Sequence, residues 1–277
     1  MISVLRSLSA WLLLALIFLA MTGALLAVRI GIRSHDRRSR IARACTEQFV
    51  SLYLRLSPLY RVNFHGLHHL PAGPCVVVAN HESGIDGPCL MHLGTCARFL
   101  AANWMFRAPI LGFVMRICDH VPVSRREQSP SALEAATEAL RSGETVAVFP
   151  EGEYAAGALK AFHRGAFVAA REAEVPIVPV RITGSGRAWR PGTWIVNGVN
   201  ALDVELLAPI TVTEVRSSPL EELIERTQNA LGTPDSQCEG SIRARTFTPR
   251  TEDPRTSRSR RGPRTSDREN SSDRSTR

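Results

Sequence analysis

Read by the order of its apolar and polar positions, the chain falls into three stretches of different character. The first is continuous. No charge appears between Arg6 and Arg29, and these 22 residues, at about 1.5 Å each, make a helix of roughly 33 Å, enough for a bilayer core of about 30 Å. The second stretch, residues 44–232, alternates short apolar runs with helical periodicity. "CVVVA", "ARFLAA", "ICDHVPVS", "TVAVF", "PIVPVRI" and "DVELLA" read as strands, which places Cys118 inside one of them. "SALEAATEALRSG" reads as a helix with a capping box from Ser131 to Glu134 and a stop at Gly143, and "AFVAAREAE" reads as another. Upstream, Phe49, Leu52, Leu56 and Leu59 recur at helical spacing until Pro58 ends the pattern, giving a helix whose apolar face suits a core or a membrane surface. "SPLEELIERTQNALG" is a last amphipathic helix ending near Gly232. Strands alternating with helices predict a single α/β domain with a largely parallel central sheet flanked by helices, preceded by an N-terminal membrane helix. In the third stretch, 241–277, Phe247 is the only aromatic residue among Arg, Ser, Thr, Pro and acids. Such a segment buries too little apolar surface to offset its ordering entropy and is predicted to be a disordered basic tail.

Charge placement changes the picture more than its size. The formal charge is +8, but residues 241–277 hold eleven Arg against five Asp or Glu, leaving +2 for the rest. Interleaved acids and the lack of aromatics argue for a solvated tail, and no nucleic-acid partner is expected. Around the apolar run the asymmetry is more telling. One arginine precedes it, while Arg29, Arg33, Arg37, Arg38, Arg40 and Arg43 follow. A secretory signal would carry its charge first and a cleavage site after. Residues 7–28 therefore read as an uncleaved transmembrane or membrane-anchoring helix, and the positive-inside rule puts the following domain on the cytoplasmic side of the inner membrane. The six cysteines, at 45, 75, 89, 96, 118 and 238, form no CxxC pair and no zinc spacing, so they read as buried reduced thiols. The three histidines of "FHGLHHLP" lack further ligands at suitable spacing, and no metal is expected.

The candidate chemistry sits in two loops that leave apolar strands. "NHESGIDG", residues 80–87, presents His81 and Asp86 five positions apart. On one regular helix that interval is about 140° round the axis, so the stretch reads as a loop entering a helix, with Gly84 allowing the turn. "VAVFPEGEYAAG" delivers Pro150, Glu151 and Gly152 at another strand end, where ligand crevices form in α/β sheets. The combination is more specific than either part. Strand, NHxxxxD, about 65 residues, strand, FPEG, then "FHRGAF" and "VPIVPVRITG" resembles the glycerolipid acyltransferase family over roughly residues 60–210.

That resemblance implies an O-acyltransferase that acylates a lysophospholipid, in the first instance 1-acylglycerol-3-phosphate to phosphatidate. His81 would be the general base for the acceptor hydroxyl, and Asp86 would hold its tautomer and stabilise the imidazolium. The turn after His81 is expected to supply N–H donors to the thioester oxyanion, and Glu82 to be a solvated loop residue. By resemblance Arg125 of "VPVSRR" meets the acceptor phosphate, Glu151 and Gly152 bind the acceptor, and Arg164 adds a cation at the same mouth. The donor is acyl-CoA or acyl carrier protein, the acceptor a membrane lipid, and no bound cofactor is implied. Three positions depart from the family pattern. Glu153-Tyr154 stands for Thr-Arg, His163 for a lysine, and Ser124 for an aspartate. The first two remove fixed cations, so another lysolipid, such as a lyso-ornithine lipid, is an alternative acceptor. A rival of another class is a catalytically silent, membrane-tethered protein that binds lipid or RNA.

Overall fold

The computed structural model describes residues 2–124, 130–154, 159–189, 196 and 199–232. The predicted tail at 241–277 and Arg125 lie outside them. Seven strands form one sheet: β1 (Tyr60–His65), β2 (Val76–Ala79), β3 (Arg98–Ala102), β4 (Val121–Val123), β5 (Val146–Val148), β6 (Ile177–Thr183) and β7 (Asn200–Leu206). Their order is β1-β7-β6-β2-β5-β3-β4, and every pairing is parallel except β6 with β7. The helices, in chain order, are α1 (Ile2–Gly31), α2 (His35–Leu56), α3 (Asp86–Met91), α4 (Asn103–Arg107), α5 (Pro109–Ile117), α6 (Pro130–Arg141), α7 (Gly165–Glu172), α8 (Ser185–Ala188), α9 (Val212–Ser217) and α10 (Leu220–Gly232).

The middle strand explains why the sheet is covered on both faces. β2 reads Val-Val-Val-Ala with no polar alternation, as a strand buried on two sides should. Val77 and Ala79 enter a core shared with α1, α2 and α3, whereas Val76 and Val78 enter a second core under α6, α7, α9 and α10. The result is a three-layer sandwich. All six expected strands are present, with one revision: Ile117 ends α5, Cys118 caps it, and only Val121–Val123 of "ICDHVPVS" is extended. Ser131 lies within α6, which begins at Pro130, so it is not an N-cap; Gly143 turns with φ +86° just past the helix, as its stop role requires. The one capping box recorded among the described helices is Thr211 with Glu214 at α9.

The two N-terminal helices depart further from expectation. Three residues join α1 to α2, and the two run side by side in opposite directions. Phe18, Met21, Leu25 and Val28 pack with Ala42, Cys45 and Phe49, while Ala10, Leu13, Leu14 and Ile17 share a core with Val50, Tyr53 and Leu54. The apolar face predicted for α2 is only partly the buried one. Leu52 and Leu56 are exposed, whereas Arg43, Thr46 and Glu47 are buried. Apart from Arg43 Nε, which is buried with no partner among the described residues, those polar groups are paired, and that makes their burial tolerable. Arg43 donates to the Cys118 carbonyl and pairs with Glu144, which also receives Arg98; Glu47 accepts from the Cys96 N–H at 2.7 Å. Arg43 is therefore a bolt between α2 and the sheet, no longer a flanking charge available to lipid.

Candidate active site

β2 and β5 are parallel neighbours, with Val78 opposite Val148, so their loops leave the same carboxyl edge together. Asn80 fixes the first loop to β6: its amide donates to the Ile182 carbonyl at 2.8 Å and accepts from the Ile182 N–H at 2.7 Å. Next in sequence, His81 is positioned from both its backbone and its ring. Its N–H donates to Glu151 Oε1 at 3.0 Å, and its ring stacks on Phe149, centroids 3.9 Å apart and planes within 13°. Tyr154 covers another side of the ring at 4.5 Å.

Asp86 is the fully buried partner, and α3 begins at it. Its Oδ2 lies 2.9 Å from His81 Nδ1 and accepts the N–H groups of Glu82 and Ser83 at 2.7 and 2.8 Å. That oxygen thus closes the turn that brings residue 81 back over residue 86. A carboxylate accepting from Nδ1–H leaves Nε2 as the accepting nitrogen. Two expectations change here. The N–H groups of His81, Glu82 and Ser83 are committed to Glu151 and Asp86, so this turn does not supply them to an oxyanion. Glu82 is not a solvated loop residue: its Oε2 accepts from the Gly186 N–H at 3.3 Å, and burial pushes its carboxyl up, opposed by that bond.

Glu151 is likewise buried, with Oε1 on His81 N–H and Oε2 on Lys160 N–H at 2.9 Å. Both oxygens hold backbone, so Glu151 aligns the two loops. Gly152 has φ +69°, and an added Cβ would lie 3.2 Å from His163 Nε2; its role is the tight turn. Arg164, next in sequence to the His163 that faces Gly152, pairs with Glu221 of α10 at 2.9 Å on the exposed surface, an acid its motif does not reveal. Lys160 Nζ pairs with Glu153 at 2.6 Å and donates to the Tyr154 carbonyl, bracing the segment over His81. Among the described residues no group of three His, Cys, Asp or Glu side chains gathers as a metal site. Burial pushes the thiols of Cys75 and Cys118 up to about 11 and Cys96 to about 12, where they stay protonated and poor nucleophiles.

Residues 61–183 match the family model described as Acyltransferase, a span that contains both loops and the His81–Asp86 pair. Over those residues the chain is similar to acyltransferases. Over 149 residues, 52% of this chain, it is 33% identical to the chloroplastic 1-acyl-sn-glycerol-3-phosphate acyltransferase BAT2 of Brassica napus and 34% identical to the chloroplastic LPAT1 of Arabidopsis thaliana. The human 1-acyl-sn-glycerol-3-phosphate acyltransferase alpha is 33% identical over 138 residues, 47% of this chain and 48% of its own. The match spans 42% of the Brassica and 41% of the Arabidopsis protein, less than half of either. The crystal structure of the 1-acyl-sn-glycerophosphate (LPA) acyltransferase PlsC from Thermotoga maritima shares the fold, with a TM-score of 0.64 over 83% of this chain and 95% of that one, at 22% identity. Around the His81–Asp86 pair, Asn80, Phe149 and Trp189 are the residues that sequence reading passed over. Asn80 had a signal, an amide directly after an apolar run. Trp189 had none, since it meets the loop from 106 positions away.

Proposed function

We propose that this protein transfers a fatty acyl group from an acyl thioester to the free hydroxyl of a lysophospholipid, 1-acylglycerol-3-phosphate giving phosphatidate. The observation that carries the reading is the His81 Nδ1–Asp86 Oδ2 contact of 2.9 Å, made at the mouth of the sheet with the ring 17% exposed. Nε2 takes the acceptor's O–H proton as that oxygen bonds to the thioester carbonyl carbon. The tetrahedral adduct then breaks its C–S bond, and the thiolate leaves with the proton returned from Nε2. Asp86 balances the imidazolium between the two steps, and the Phe149 ring face lies against it. Arg125 is assigned to the acceptor phosphate. The donor is acyl-CoA or acyl carrier protein. The named activities of the Brassica, Arabidopsis and human relatives support this acceptor.

A second acceptor class is favoured by one observation. Lys160 and Arg164 are both neutralised by Glu153 and Glu221, which suits a zwitterionic head group such as that of a lyso-ornithine lipid. A panel of lysolipids with one acyl-CoA, followed by thiol release, separates the two. His81→Ala is expected to lose at least about a hundredfold in rate while staying folded. Retention of more than about a tenth of the wild-type rate would refute the base assignment.

For the membrane, α1 is long and apolar enough to cross, but its packing suits lying in the interface. Ser7 bonds Val196 of the domain, and Leu25 shares a core with α5. An upright α1 would carry α2 beside it into hydrocarbon, with Asp36, Arg37, Arg38, Arg40 and Arg55. Set in one leaflet, α1 buries Leu5, Leu8, Leu12, Leu16 and Leu19, all exposed on its outer side, and α2 stays in water.

A further inference from the structure

The loop that holds His81 and Asp86 has a second support besides Glu151, and it comes from Trp189. The indole lies against Gly84, so closely that a Cβ there would fall 2.8 Å from its Cζ3. The Trp189 carbonyl accepts the Ser83 hydroxyl at 2.9 Å. Ser83 is fully buried and gives its N–H to Asp86 Oδ2, so one residue links the tryptophan to the carboxylate. The same indole meets Trp11 of α1 edge to face, centroids 5.6 Å apart at 73°. One turn earlier on α1, the Ser7 hydroxyl accepts the Val196 N–H at 3.0 Å, and Ala10, Ile85, Ala188 and Val196 share one buried core.

We infer that Trp189 is a positioning residue for the His81–Asp86 pair and that Trp11 holds it there, so that the seating of α1 sets the geometry of the catalytic loop. This rests on the reading of His81 as the base. An aromatic edge-to-face pair contributes about 0.5–1.5 kcal/mol beyond its buried area, enough to bias one side chain without being needed for the fold. The three atoms that a Cβ at Gly84 would meet first all belong to the Trp189 ring. When Trp189 shifts, the turn loses its clamp, and the base loses alignment with the acceptor hydroxyl. The outer face of α1 is the apolar face proposed to enter lipid, so lipid binding and loop order meet in one helix.

The test uses the full chain on phosphatidylcholine and phosphatidylglycerol vesicles carrying a lysolipid acceptor, with acyl-CoA as donor. Trp11→Ala is expected to lower kcat about ten- to a hundredfold, as a displaced reacting group does, with KM for acyl-CoA within about twofold. Trp11→Phe keeps an aromatic edge and is expected to restore most of the rate. Leu12→Ala, on the exposed side of the same helix, should weaken vesicle binding yet leave kcat at saturating lipid unchanged. Gly84→Ala drives a methyl into the indole and should cost activity in the wild type and much less in a Trp189→Ala background. That comparison needs neither variant to be fully active. An equal cost in both backgrounds, a Trp11→Ala protein with wild-type kcat, or a Trp11→Phe protein as impaired as the alanine variant would overturn the coupling. A His81→Ala protein that keeps its rate would instead remove the reaction assignment beneath it.

Discussion

Asp86 Oδ2 receives three donors, whereas Oδ1 is buried with no hydrogen-bond partner among the described residues. All the stabilisation of this carboxylate is therefore concentrated on one oxygen, the one that faces the base. Asp86→Asn keeps the shape but removes the charge that holds Nδ1–H and balances the imidazolium. Its kcat is expected to fall about 10³- to 10⁴-fold, with melting temperature reported in parallel to separate catalysis from stability. Tyr154 makes a different prediction. It stands against the His81 ring where the family has arginine, and Glu153 beside it already engages Lys160. Tyr154→Arg adds one charge-assisted donor, worth about 1.5–3 kcal/mol to a phosphate, so the kcat/KM ratio of lysophosphatidate to a zwitterionic lysolipid should rise about ten- to a hundredfold. An unchanged ratio would show that residue 154 does not meet the acceptor head group.

Among elements, α2 tests how the polar layer beneath β3 and β4 responds to pH. His120 Nδ1 accepts the Phe99 N–H, and burial, followed by the nearby Arg43 and Arg98, pulls its pKa from 6.5 down to about 3. The folded state thus prefers the neutral ring. Its stability contribution is complete above pH 6.5 and is lost as pH falls toward 3. Glu47 works in the opposite sense. Burial raises it from 4.5 to about 7, so its contribution is complete at acid pH and is lost as pH rises through about 7. The two offset each other in the weakly acidic range. Glu47→Gln, which keeps an acceptor for the Cys96 N–H, should raise the melting temperature at about pH 8 and steepen the acid loss. His120→Asn, which keeps an acceptor for Phe99, should flatten that acid loss. The same layer marks where sequence reading stopped. β2, β5 and β6 were legible because an unbroken apolar run bounded by Gly, Pro or Asn admits few alternatives. The His81 and Glu151 loops were legible because they follow those runs directly. α2 was not, since its buried face is chosen by Cys96, Cys118 and Glu144, none of them near it in sequence. The partner of Arg164 was illegible for the same reason, with Glu221 supplied by a helix more than fifty residues on. β1 was blurred by its short exposed pattern, though its six paired positions with β7 form the longest register in the sheet.

At the scale of the molecule, α1 and α2 share continuous cores with the rest of the domain, the packing on which the interfacial placement proposed above rests. Both of its ends should then face the same side of the membrane. Single cysteines introduced at positions 2 and 33, in a chain otherwise free of reactive thiols, should both be labelled by a membrane-impermeant maleimide in inverted vesicles and neither in intact spheroplasts. Labelling of position 2 from the opposite side would establish an upright span. The positive flank keeps its meaning in this arrangement, since Arg29, Arg33, Arg37, Arg38 and Arg40 remain near an anionic surface.

Lys160 is the only lysine in the sequence, and its bonds to Glu153 and the Tyr154 carbonyl put it beside the residue that covers the His81 ring. Amine chemistry consequently has a single side-chain address in this protein. A lysine-specific protease has one cut to make, between β5 and α7, and an amine-reactive dye reports from beside the base. Occupancy of the site can thus be followed on the natural sequence through one side chain, with no substitution introduced.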